Sequence, residues 1–135
     1  MVRSRKAQST VDLIITLAFV LILFLVLFQL IVKERLQERV EREIELDAQT
    51  QTEKVWFAIA ETIIAGPGTN KTIYLPEFLS HNIEYNLTVY AYGVITIDYD
   101  DSQYTLRLPT KSINQSSLSS GQIIVENRDG VIYFE

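Results

Sequence analysis

Residues 13–32 form a run of twenty amino acids without a charge, interrupted only by the polar Thr16 and Gln29. At about 1.5 Å per residue a helix of that length is roughly 30 Å long, the thickness of a bilayer's hydrocarbon core. A soluble domain of 135 residues would have to bury such a helix on every side, so a transmembrane helix over residues 8–32 is the expectation. The mean hydropathy of +0.12 looks globular only because this run is averaged with a polar remainder. An apolar h-region of a secretory signal peptide spans about 7–15 residues before a small-residue cleavage site. Here the run passes straight into Lys33-Glu34-Arg35-Leu36, so cleavage after it is not expected.

Charge sets the orientation. Arg3, Arg5 and Lys6 precede the run, and Asp12 is the one acidic residue before it. Basic residues are retained in the cytoplasm, which reads the N-terminus as cytoplasmic and the chain beyond residue 32 as extracellular. That outer part carries 9 basic and 16 acidic residues, a formal −7. The basic start is thus a topology signal, and no nucleic acid is expected as a partner.

Helical periodicity continues past the apolar run. Leu36, Val40, Ile44 and Ala48 follow Val32 at spacings of four, with charged residues on the other faces, which predicts an amphipathic extramembrane helix over residues 33–65. Glu38 and Arg42 are spaced for a favourable i,i+4 pair. A strict heptad would put Arg39 and Glu43 in the seam, so the stripe calls for some other apolar surface than a coiled-coil partner. The polar stretch 47–52 is expected to loosen or bend the helix. Residues 55–65 are apolar nearly all round, and Gly66-Pro67-Gly68 ends the helix.

From residue 69 the period changes from about 3.6 to 2. Residues 72–75, 85–91, 94–99, 104–108, 123–126 and 131–134 read as short strands, with turns at 92–93, 100–102 and 127–130 and a looser connection over 109–121. The expectation is an antiparallel meander over residues 69–135. With no cysteine to cross-link it, so small a sheet needs the apolar helix surface at 55–65 to cover its inner face. The fold class is therefore α+β: a long N-terminal transmembrane and amphipathic helix followed by a small antiparallel β-sheet domain.

The segment Lys6-Ala7-Gln8-Ser9-Thr10-Val11-Asp12-Leu13 resembles the class III signal peptide of archaeal type IV pilin-like proteins. The resemblance implies a leader over residues 1–7, removal by a prepilin peptidase between Ala7 and Gln8, and a mature chain beginning at Gln8. It also implies the lollipop outline of that family. Asp12 would stand at the fifth mature position, where such proteins usually carry Glu, and would take the assembly role. A carboxylate in hydrocarbon costs about 2.5–3.5 kcal/mol on insertion scales unless it finds a partner, and the free amine of a neighbouring subunit would be one. A solvated helix-start acid in the headgroup zone is the alternative role for Asp12.

Asn70, Asn86 and Asn114 each begin an N-x-[ST] sequon, the acceptor pattern for N-glycosylation of an exported domain. Asn70 and Asn114 are read in loops, and Asn86 in mid-strand. No catalytic constellation is found. His81 is the single histidine and reads as a surface residue without a nucleophile turn. Asp98, Asp100 and Asp101 read as turn formers without the remaining ligands of a calcium loop. No cofactor, no metal site and no enzymatic activity are expected. The tyrosines read as sheet packing, with an outward subset available for adhesion.

The resemblance thus implies a structural subunit, major or minor, of an archaeal type IV pilus-like filament on the cell surface. Its partners would be copies of itself through the N-terminal helices, the prepilin peptidase, the pilus assembly machinery and the membrane. The alternative is a membrane-anchored accessory protein whose extracellular β domain binds a partner of a surface-filament or envelope complex.

Overall fold

A computed structural model describes the backbone of residues 2–135 and the side chains of residues 9–135. The helix α1 spans Val2–Ala65, with no Gly or Pro inside it to break the hydrogen-bond ladder. Among the described residues seven strands follow: β1 Asn70–Leu75, β2 Tyr85–Tyr90, β3 Val94–Tyr99, β4 Ser102–Arg107, β5 Ser116–Leu118, β6 Gly121–Arg128 and β7 Val131–Phe134. The α+β layout expected of the chain is the one observed. The chain divides into two compact units, residues 1–40 and 41–135.

In the first unit every described side chain is exposed. The large apolar side chains from Leu13 to Ile31 retain 50–68% of their accessible surface. At roughly 1.5–3 kcal/mol for each such side chain, leaving them in water costs tens of kcal/mol. The segment is long and apolar enough to cross a membrane, and within it the Thr16 hydroxyl donates to the Asp12 carbonyl at 2.8 Å. That bond satisfies a hydroxyl that hydrocarbon could not.

In the second unit the C-terminal part of α1 lies in one core with the strands. Burial sets in abruptly along the stripe read from the sequence: Leu36 is 57% exposed and Val40 37%, whereas Ile44 is 8% and Ala48 is fully buried. Val55, Ala58 and Ile59 join them, against Leu75, Leu87, Val89, Ile95, Ile97, Val125 and Ile132. Helix residues 55–59 do cover apolar sheet surface, as the small size of the sheets requires.

The sheet topology departs from the expected meander. Two antiparallel sheets form, one of order β1-β6-β7 and one of order β4-β3-β2-β5. β1 pairs with β6, Ile73 opposite Ile123 and Lys71 opposite Val125, a long-range pairing that no turn signal announces. The supposed loose connection holds β5, whose Leu118 lies opposite Leu87 of β2. Its sequence Ser116-Ser117-Leu118 has one apolar residue, too few to show a period of 2. Asn70 is the first residue of β1 and not a loop residue.

Two turns depend on glycine. Asp129 and Gly130 both have positive φ, 53° and 88°, the two-residue hairpin that joins β6 to β7 with the twist of its strands. Gly93 closes the three-residue loop between β2 and β3 with φ of 83°, and a Cβ there would stand 2.7 Å from the Thr110 carbonyl oxygen.

Asn127, expected in a turn, is instead a β6 residue only 3% exposed. Its amide nitrogen donates to the Thr62 carbonyl in the last turns of α1 at 3.0 Å, and its side-chain oxygen accepts from the Gly130 N–H at 2.9 Å. Its backbone N–H donates to Thr69 and its carbonyl accepts from Gly68. One buried amide therefore ties the helix end to the β6–β7 hairpin. Asn127→Ala leaves the Thr62 carbonyl without this donor and should cost about 1–3 kcal/mol. A lowered melting temperature of the full chain in detergent would check this, whereas an unchanged one would contradict it.

Candidate functional site

Catalytic groups are not gathered anywhere among the described residues, and no cluster of three or more His, Asp or Glu there could hold a metal ion. The surfaces that stand out are those of α1 and of the loop that clamps it. Ala7 and Gln8, the expected leader-cleavage residues, lie outside the residues whose side chains are described. Asp12 is exposed near the start of the apolar run. Gln29, the second polar residue of that run, is exposed and its side chain has no hydrogen-bond partner among the described residues.

The polar stretch at 47–52, expected to loosen the helix, is instead where loop 76–84 is fastened to it. Asp47, Gln51 and Lys54 follow at i, i+4 and i+7, which aligns them on one face. Gln51 Nε2 donates to Asp47 Oδ1 at 3.0 Å and Lys54 Nζ to Gln51 Oε1 at 2.9 Å. On its other oxygen Asp47 accepts the Ser80 backbone N–H at 2.7 Å and the Ser80 hydroxyl at 3.1 Å. Thr52, fully buried, returns its hydroxyl to the Ala48 carbonyl at 2.8 Å. A polar composition thus conceals a helix face that is satisfied internally and by the loop.

The loop turns sharply at His81 and Asn82, whose φ values are 60° and 64°. His81 Nε2 lies 2.8 Å from Glu43 Oε2 on the exposed surface, in keeping with its reading as a surface residue. Tyr85 anchors the loop's other end by donating its phenol to the Pro76 carbonyl at 2.5 Å. Burial, with the charge of Asp47 behind it, pushes the Tyr85 phenol up. For Asp47, burial acts to raise the carboxyl, but the hydrogen bonds from Gln51 and Ser80 and the Lys54 charge outweigh it and hold the group below its ordinary 3.8.

An open acidic recess, not anticipated from the sequence, lies where Glu41, Ile44 and Glu45 of the helix meet Tyr99, Asp100 and Gln103. Asp98 accepts from Gln103 at 2.7 Å, and Asp100, with φ of 49°, makes the β3–β4 turn. Both serve the hairpin. The sequon residues Asn70, Asn86 and Asn114 are all exposed, which modification requires, and they stand on separate elements. Asn86 Oδ1 accepts the Ser117 hydroxyl of β5 at 3.0 Å.

On the side of the helix away from the sheets, Leu46, Phe57 and Ile64 are 56%, 58% and 86% exposed. At about 100° per residue they fall within roughly 20° of one line, which the exposed Glu53 shares, and the Phe57 ring meets that of Trp56 edge-on at 5.2 Å. Spacings of 11 and 7 carried that signal, masked by the apolar surroundings of residues 55–65. Tyr74 and Tyr92 are the most exposed tyrosines, and Tyr92 stacks on Tyr90 at 5.1 Å.

Because its carboxyl is held low in the folded state, Asp47 contributes stability that is present above pH 3.8 and is lost as pH falls through the depressed folded value. Asp47→Asn should lower the melting temperature at neutral pH, and the gap to wild type should close as pH falls below that value. Thermal unfolding in detergent across a pH series measures this, and a gap independent of pH would contradict the assignment. Compared with protein-family models, curated proteins and solved structures, the chain matches none of them.

Proposed function

We propose that the protein is a structural subunit of an archaeal type IV pilus-like surface filament, held in the membrane through its N-terminal helix before assembly. One observation carries the reading: an uncharged apolar helix, exposed on every face over residues 13–32, is joined directly to the Gln8-Ser9-Thr10-Val11-Asp12 segment. Lipid satisfies such a surface in a single subunit, and the same surface of other copies satisfies it in a filament. Packing between apolar helices then exchanges lipid contact for protein contact.

Two polar side chains support helix association over a solitary anchor. Asp12, at the edge of the run, gains a partner if a neighbour's free Gln8 amine lies beside it. The Gln29 amide, exposed and without a partner among the described residues, gains an interhelical hydrogen bond of about 0.6–2 kcal/mol when helices bundle. In this reading the N-terminus is cytoplasmic, the prepilin peptidase removes residues 1–7, and the two sheets with their exposed sequons form the outer surface. The exposed side chains of Leu46, Phe57 and Ile64 support a second protein surface against α1. Were its occupant a different protein, the chain would be an anchored accessory component of a surface complex.

Asp12→Ala tests the reading. Membrane insertion should be unchanged, while filaments sheared from cells should fall by about tenfold or more, the effect of losing roughly 1.4 kcal/mol per contact. Filament yield equal to wild type in that variant would contradict the role of Asp12. Wild-type cells that produce the protein without any filament containing it would contradict the function.

A further inference from the structure

Between the apolar run and the buried stripe the sequence repeats one dipeptide: Glu34-Arg35, Glu38-Arg39 and Glu41-Arg42. The spacings of four and three are those of one helix face. At about 100° per residue, Glu34, Glu38 and Glu41 fall in one column roughly 60° wide, and Arg35, Arg39 and Arg42 fall in a second, centred about 100° away. Each column rises about 11 Å along the helix. All six side chains are exposed.

No ion pair engages the columns within the chain: none of the six enters one among the described residues, and the expected Glu38–Arg42 pair is not formed. Glu34 with Glu38 and Arg35 with Arg39 set like charges at i,i+4, which disfavours an isolated helix by a few tenths of a kcal/mol per pair. Within one chain these repulsions are offset by the opposite-charge spacings Arg35–Glu38 and Glu38–Arg42, whereas between two chains the columns are complementary along their whole length.

We infer that the Glu34/Glu38/Glu41 column of one copy docks on the Arg35/Arg39/Arg42 column of the next, in parallel, just outside the membrane. This rests on the filament reading above. An anchor at residues 13–32 common to every copy holds the helices parallel and at one depth, so the two columns meet at the same height. The six charges sum to zero, and an anionic lipid surface would attract one column while repelling the other. The contact uses different faces on the two partners, so it is heterologous and propagates. Columns about 100° apart turn each successive copy by roughly 80° about its own axis.

The test uses the full chain, carried on two different tags and produced in the same membranes. Arg35→Glu/Arg39→Glu/Arg42→Glu should cut co-purification of that variant with itself by about tenfold, because two acidic columns meet. Exchanging all six residues, Glu to Arg and Arg to Glu, preserves net charge and should restore self-association, yet the exchanged chain should co-purify with wild type about tenfold less than with itself. Equal capture of exchanged and wild-type chains by one another would overturn the seam and leave the filament reading standing. Failure of wild type to capture itself would overturn both. Unchanged self-association of the Arg-to-Glu chain, with weakened binding to vesicles of anionic lipid, would assign the arginines to headgroups and overturn the seam.

Discussion

The second unit depends on one stripe of α1. Ala48, Thr52, Val55 and Ile59 are fully buried, and Ile44, Ala58 and Thr62 nearly so. Without cysteine, neither a three-stranded nor a four-stranded sheet would bury enough apolar surface to be stable by itself. The stripe makes the missing layer, and its small residues admit the strands closely while its hydroxyls stay satisfied. Thr52 and Thr62 donate back to Ala48 and Ala58, so two polar residues enter the core without an orphaned group.

Polar anchors then fix where the strands attach. Trp56, the single tryptophan, donates its indole N–H to the Arg107 carbonyl at 2.9 Å, which ties the helix to an edge strand, β4, of the larger sheet. Asn127 does the same for the smaller sheet at Thr62, and Lys71 pairs with Glu61 at 2.6 Å. Asp47 and Ser80 fasten the connection between the sheets. Arg128 at the end of β6 meets Glu126 of the same strand and Glu135 just beyond β7, and those carboxylates raise its already high pKa. These exposed pairs contribute little each. The buried Asn127 amide and the Asp47 carboxylate contribute more, because the first bonds out of water and the second accepts the Ser80 backbone N–H as a charged acceptor.

How much of this the sequence discloses follows from which contacts are local. Helix α1 is readable because periodicity and the absence of Gly and Pro are local properties, and most strands are readable because Tyr, Ile, Val and Thr alternate within them. The β1–β6 pairing is not readable, since it joins residues about fifty apart without a shared turn. β5 is hidden by its serines. Asn127 and Asp47 look like turn and linker residues because their partners, Thr62 and Ser80, are distant in the chain. The proposed assembly residues are a different case. Asp12 and the Glu-Arg repeat are visible in the sequence, yet that the repeat forms no ion pair among the described residues emerges only once the helix is built.

The exposed apolar helix is proposed to serve a subunit whose leader is removed before its helix associates with others. The intact mass of the protein purified from membranes of cells that contain a prepilin peptidase tests this. A chain beginning at Gln8 is expected. A chain retaining Met1 to Glu135 in those cells would contradict the proposal.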